Sequence, residues 1–217
     1  EKLKRLPYQN TKVKLMEQLL KRVIDSVKKV NKVKAVSFTE RLNGIINQYN
    51  DRSDDIVLAD EIVTEVAKQL ADLFEEIKKD NVLPDGIPNV EVKAFYDILK
   101  SVAERYGFLD EYTEEQYIEI AQAVKEKVDD SSQFIDWDKR TDIKAQLKVH
   151  IILTLKKYNY PPATRDEVFQ AIFEQAENFK KNQAGKKQNN VRLYSSASDT
   201  ITNRIAAEQR AEYGNKK

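Results

Sequence analysis

A chain of 217 residues can bury a substantial core, and 34% charged residues with only 5 Gly and 5 Pro suit long, surface-charged helices and argue against a sheet sandwich or barrel. With no Cys there are no disulfides or thiolate metal sites, and no apolar run approaches the roughly 20 residues that span a bilayer. The net charge of +1 conceals segregation: residues 1–36 hold 11 basic and 3 acidic side chains, residues 37–130 hold 10 and 23, and residues 131–217 hold 16 and 10. Such a layout can steer a partner, and it is also the ordinary pattern of solvated helix faces. The sequence opens on Glu1, its only Met is Met16 and it shows no signal peptide, so it reads as a piece of a longer, cytoplasmic chain.

Glu1 to Asn10 reads as a basic, extended lead-in broken by Pro7. From Thr11 a first helix runs on a basic background, capped by Asn10, with Val13, Met16, Leu20, Ile24 and Val27 at helical spacing. Lys28 to Val36 alternates Lys and Val. Ser37-Phe38-Thr39-Glu40 fits a capping box and predicts the start of a second helix, with Phe38, Leu42, Ile45 and Tyr49 inward. A third helix begins at Asp55 and buries Val63, Val66, Leu70, Leu73 and Ile77, with an acidic opposite side.

Residues 80–89, with Pro84, Gly86 and Pro88, form the clearest loop and the candidate boundary between two sub-bundles. A fourth helix follows from Val90, capped by Asn89, and stops at Gly107. Thr113-Glu114-Glu115-Gln116 opens a fifth as a capping box. The sixth helix, from Asp138 to Tyr158, lays Ile143, Leu147, Ile151 and Leu155 along one face, with Trp137 ahead of it and Pro161 beyond its end. Thr164 to Glu167 is a third capping box, before a seventh helix that buries Val168, Ile172, Phe173 and Ala176. The expected fold is all-α, a bundle of about seven helices, with one domain over residues 1–182. Residues 183–217 form a polar tail, read as a docking arm or a weak helix.

Chemistry is sparse. Pro84-Asp85 with Glu91-Val92-Lys93 spells a PD…ExK string, which in restriction-type nucleases gathers two carboxylates and a Lys around Mg²⁺ on adjacent strands. Here the second half opens a helix and no flanking run alternates like a strand. His150, the only His, lies at the edge of the sixth helix's apolar face and has no Cys or second His with which to share a metal. Gly185-Lys186 lacks the rest of a phosphate-binding loop. The basic helices over residues 12–34 and 139–157 could meet nucleic acid through phosphate contacts alone, by way of Lys21, Arg22, Lys28, Lys29, Lys144 and Lys148.

Several segments, in order, resemble the helical C-terminal domain of the restriction (motor) subunit of type I restriction-modification enzymes. They are LPYQNTKVKLMEQLLKRVI near the start, SFTERLNGIINQYNDRS over residues 37–53, FYDIL over residues 95–99, and IDWDKRTDIKAQLK with KKYNYPP between residues 135 and 162. Two positions depart from the family pattern: Asp51 stands where it has Asn, and Asn159 where it has Gly. The resemblance implies a parent subunit that is an ATP-dependent DNA translocase and site-specific deoxyribonuclease, using ATP and Mg²⁺ in domains outside this chain. It implies no cofactor and no catalytic residue here, and partners in the modification (methyltransferase) and specificity subunits, with no membrane. Tyr49, Arg52, Phe95, Tyr96, Trp137, Arg140 and Tyr160 then become the candidate anchoring or interaction residues.

Overall fold

The computed structural model describes residues 2–51, 56–133, 136–161 and 166–183, with side chains described from residue 10 to residue 182 apart from residues 52–59 and those gaps. Among them are seven α-helices and no strand: α1 (Lys2–Lys28), α2 (Lys32–Asn50), α3 (Ile56–Asp80), α4 (Val90–Tyr106), α5 (Glu114–Ser132), α6 (Thr141–Lys157) and α7 (Asp166–Gln183). A short 3-10 turn, Leu109–Glu111, precedes α5. The all-α class follows from the sequence periodicity. The third capping box falls at residues 164–167, of which 164 and 165 lie outside the described residues, as do Arg52, Ile135, Pro162 and the tail from residue 184.

Two predicted helix starts move by five residues or more, and α6 begins at Thr141 rather than Asp138, because the turn that buries Trp137 occupies the residues between. Helix α1 begins at Lys2, so the expected extended lead-in is helical and Pro7 lies in the second turn. There the helix forgoes the one hydrogen bond that a proline nitrogen cannot donate. Asn10 is thus interior and caps nothing; its side-chain carbonyl accepts the Tyr49 hydroxyl at 2.8 Å. Helix α2 begins at Lys32, five residues before the predicted Ser37, which is exposed inside the helix. Its cap is Asn31, whose Oδ1 accepts from the Lys34 amide at 3.2 Å while its backbone carbonyl accepts from Ala35.

The chain divides into two compact units. Of the described residues, one contains those up to Ser26 together with Ser37–Val82; the other contains Val27–Val36 and residues 83–183. In the first, Val13, Leu20 and Ile24 of α1, Phe38, Leu42, Ile45 and Tyr49 of α2, and Val63, Val66, Leu70, Leu73 and Ile77 of α3 are buried. Arg41 of α2 pairs with Glu76 of α3. The outward side of α3 carries exposed Glu61, Glu65, Asp72, Glu75 and Glu76.

In the second unit α4 packs on α5 and α7, and α6 packs on α5 and α7, closing a four-helix arrangement. Its caps follow the sequence. Asn89 Oδ1 accepts from the amides of Glu91 at 3.1 Å and Val92 at 2.9 Å, and Thr113 with Gln116 forms the reciprocal capping box. Helices α4 and α6 end alike. Gly107, at φ +75°, donates to Glu104 O while Phe108 donates to Ala103 O; Asn159, at φ +56°, donates to Lys156 O while Tyr160 donates to Leu155 O. Both are Schellman stops with a left-handed residue just past the helix. The left-handed conformation at position 159 explains why Gly suits the family pattern there, and Asn is among the few other residues that tolerate it.

Candidate interaction surface

The segment between α1 and α2 is held inside the second unit by side chains that periodicity alone does not single out. Asp97 of α4 accepts from Asn31 Nδ2 at 2.6 Å and from Lys93 Nζ at 2.8 Å, and all three residues are buried. Gln175 of α7, 0% exposed, accepts from the Lys32 amide and donates to the Val30 carbonyl, both at 2.9 Å. Asn178 donates to the Lys28 carbonyl at 2.9 Å, and Lys32 pairs with Glu174. These bonds satisfy backbone groups of a corner that is only partly open to water, with Val27 and Asn31 buried. Gln175 was findable: it lies three residues after Ile172 and one before Ala176, a polar side chain on an apolar face. Asn31 was hidden by the Lys-Val alternation around it.

The segments that carry the family resemblance are bound up with packing. Asp136 adopts φ +57°, and its carbonyl accepts from the amides of Lys139 and Arg140, a turn that places Trp137 in the core against Phe173, centroids 5.5 Å apart and edge to face. Lys180 stands over the Trp137 ring at 5.7 Å and pairs with Asp138, and this ammonium holds the Asp138 carboxyl below its ordinary range. Buried Tyr160 sits among Phe108 and Tyr112 and donates to the Leu99 carbonyl of α4 at 2.6 Å. Burial pushes its phenol upward, as it does the Tyr117 phenol, which rises to about 12. Phe95 meets Phe179 edge to face at 5.9 Å. The Tyr96 hydroxyl bonds Glu114, whose carboxyl is lowered first by Lys100 and then by Tyr96. Tyr49 is buried in the first unit, whereas Arg140 is exposed ahead of α6 and bonds Asp142 through two nitrogens.

The basic candidates divide by engagement. Lys144 pairs with Glu177 at 3.8 Å and lies 4.7 Å over the Phe173 ring; Lys148 pairs with Asp166 at 2.5 Å and lies 5.3 Å over the Phe169 ring. Lys21 pairs with Glu17 at 2.6 Å, while Arg22, Lys28 and Lys29 are exposed. The PD…ExK residues are dispersed. Asp85 is exposed in the loop, Glu91 pairs with Lys125 at 2.9 Å, and Lys93 is committed to Asp97. His150 is exposed, beyond the edge position expected of it, and no group of His, Asp or Glu among the described residues is arranged to hold a metal ion. Among the described residues no helix is long and apolar enough to cross a membrane.

What the second unit does present is an apolar outer side on α6. Ile143, Leu147, Ile151 and Leu155 are buried, as periodicity predicts. On the far side of the same helix Val149 is 53% exposed and Leu153 59%, with exposed Ala145 one turn earlier and Lys156 one turn later. Sequence reading assigned that side to lysines. It noted the inward stripe and passed over a second, narrower one.

Residues 1–182 match the family described as type I restriction enzyme HindI endonuclease subunit-like, C-terminal. The chain is also 28% identical over 178 residues to the type I restriction enzyme HindI endonuclease subunit of Haemophilus influenzae, an alignment that covers 81% of this chain and 16% of that protein's length. No solved structure matches it. The ordered motifs, the all-helical fold and the match over residues 1–182 agree: this chain belongs to the C-terminal domain family of type I restriction enzyme endonuclease (R) subunits.

Proposed function

We propose that this chain is a non-catalytic docking domain that attaches the endonuclease subunit to the methyltransferase core formed by modification and specificity subunits. The observation that carries the reading is the exposed aliphatic side of α6, on a helix whose inward face is already filled. Exposed aliphatic side chains in register along a helix gain free energy when a second surface removes them from water. Much of the polar chemistry in the second unit is spent on its own architecture: Lys93 on Asp97, Lys125 on Glu91, Lys180 on Asp138 and Gln175 on the corner backbone. Cleavage and translocation, with their ATP and Mg²⁺, then belong to other parts of the parent subunit, a site-specific deoxyribonuclease working in the cytoplasm.

The test is co-elution of the purified chain with the purified modification–specificity complex on size exclusion. Docking predicts a joint peak, and separate elution at micromolar concentrations sinks it. The rival reading is a DNA-guiding module acting through phosphate contacts, supported by exposed Arg22, Lys28 and Lys29. It predicts retention on duplex DNA that falls steeply with salt. Against it stands the engagement of Lys144 and Lys148 with Glu177 and Asp166, which leaves the sixth helix fewer cations for phosphate.

A further inference from the structure

We propose that the outer side of α6 seats an aliphatic helix with an acidic rim, presented by the methyltransferase core; the inference rests on the docking reading above. Ala145, Val149 and Leu153 recur at intervals of four, with half-buried Ile152 beside them. Over the eight-residue rise from Ala145 to Leu153 the stripe runs about 12 Å, two turns, the footprint of one helix packed on another. Its rim is positive toward the C-terminal end, while at the N-terminal end exposed Asp142 is held by Arg140. Lys148 on one flank is already paired with Asp166, but Lys156 and Lys157, at the C-terminal end, are exposed and make no ion pair among the described residues. Exposed Gln146 and His150 edge the other flank.

The charge selects the occupant. A second copy laid antiparallel would set Lys156 and Lys157 against Asp142, a carboxylate that Arg140 already bonds through two nitrogens, so it offers the lysines no free acidic partner. Residues 186–217 hold seven basic and three acidic side chains and so carry the same sign as the rim. A partner helix with Leu, Ile or Val along its centre and Asp or Glu at its edges meets both features: the aliphatic groups leave water together, and the carboxylates meet Lys156 and Lys157. Nucleic acid meets only the second, because phosphates gain nothing from Val149 and Leu153.

The experiment immobilises the purified modification–specificity complex and measures binding of the 217-residue chain and two double variants by interferometry, at low and physiological salt. The variants are Val149→Glu with Leu153→Glu, and Lys156→Glu with Lys157→Glu. All four positions are exposed, and circular dichroism melts check that the fold is kept. The expected result is wild-type binding that weakens with salt and a loss of about tenfold or more for each variant. Wild-type binding with both variants unimpaired overturns the surface and leaves docking standing. Absence of wild-type binding removes the docking reading and this inference together. If the lysine variant instead loses only retention on duplex DNA while the apolar variant binds the core normally, the face is a phosphate contact and the inference fails.

Discussion

Helices α4 and α6 belong to the same unit and are each 17 residues long, yet they invert the usual rule on opposite sides. Helix α4 is buried without a break from Val92 to Leu99, including Lys93 and Asp97. Helix α6 leaves Val149 and Leu153 in water. Lys93 and Asp97 stand four apart, a spacing that in isolation describes a solvated ion pair worth a few tenths of a kcal/mol. They are buried because Asn31, in the corner between α1 and α2, reaches Asp97. The side of α6 opposite its core has no such cover. The comparison teaches that exposure in this unit is decided by what is laid over a helix, more than by what the helix is made of.

The comparison can be broken hardest at Asp97. Asp97→Ala removes the carboxylate that the buried Lys93 ammonium and the Asn31 amide share, and a loss of about 3–5 kcal/mol is expected in chemical denaturation. Replacing both partners, Lys93→Met with Asp97→Leu, recovers part of it and leaves the Asn31 amide without that carboxylate, a residual cost of about 1–3 kcal/mol. If Asp97→Ala costs no more than a surface substitution, the corner is not held as described.

Alkaline pH probes the aromatic end of the same unit. Tyr117 and Tyr160 have folded-state pKa values raised above the ordinary phenol value of 10, Tyr117 to about 12, so their contribution is complete below pH 10 and is lost as pH rises through the folded values. The melting temperature should fall between pH 10 and 12, and ultraviolet titration should show late-ionising phenols among the ten tyrosines. Tyr160→Phe should flatten that fall, at the cost of the bond to the Leu99 carbonyl. In acid the sign reverses. Glu114, Glu174 and Asp138 have lowered folded pKa values, so their stabilisation is complete above the ordinary carboxylate range and is lost as pH falls below it.

A smaller effect is expected at the α6 stop. Asn159→Ala forces an ordinary side chain to φ +56° and should cost about 1 kcal/mol, whereas Asn159→Gly should be neutral or stabilising. The smallest is on the outer face of α6, where Val149→Ser with Leu153→Ser should change the unfolding free energy by no more than about 0.5 kcal/mol per site in chemical denaturation. Loss of partner binding without loss of stability would sharpen the contrast with Asp97, where stability itself is at stake.

Local signals were legible wherever one residue does the work alone. Asn89, Gly107 and the Thr113–Gln116 pair mark their helix ends in the sequence because a cap is a bond between neighbours a few positions apart. The inward residues of α3, α6 and α7 follow from spacing for the same reason. The starts of α1 and α2 were misread because Pro7 and Ser37 carry strong local preferences that the continuing helices override. Asn31 caps α2 from within a stretch that looks like a fraying end. Of the candidate surface, the basic character of residues 139–157 was legible and Val149 and Leu153 were not, since four inward residues already accounted for a helix face.

Composition and periodicity, with no partner in view, determined that this chain is helical, roughly where its helices turn inward and which motifs it shares with its family. These are properties of short stretches, and short stretches fix them. Only the tertiary structure decided that Lys93 and Asp97 lie inside, that Gln175 grips a backbone more than 140 residues away, and that α6 keeps an aliphatic side in water. Solvent exposure is set by the surface that arrives from elsewhere in the chain, and no local pattern encodes that arrival.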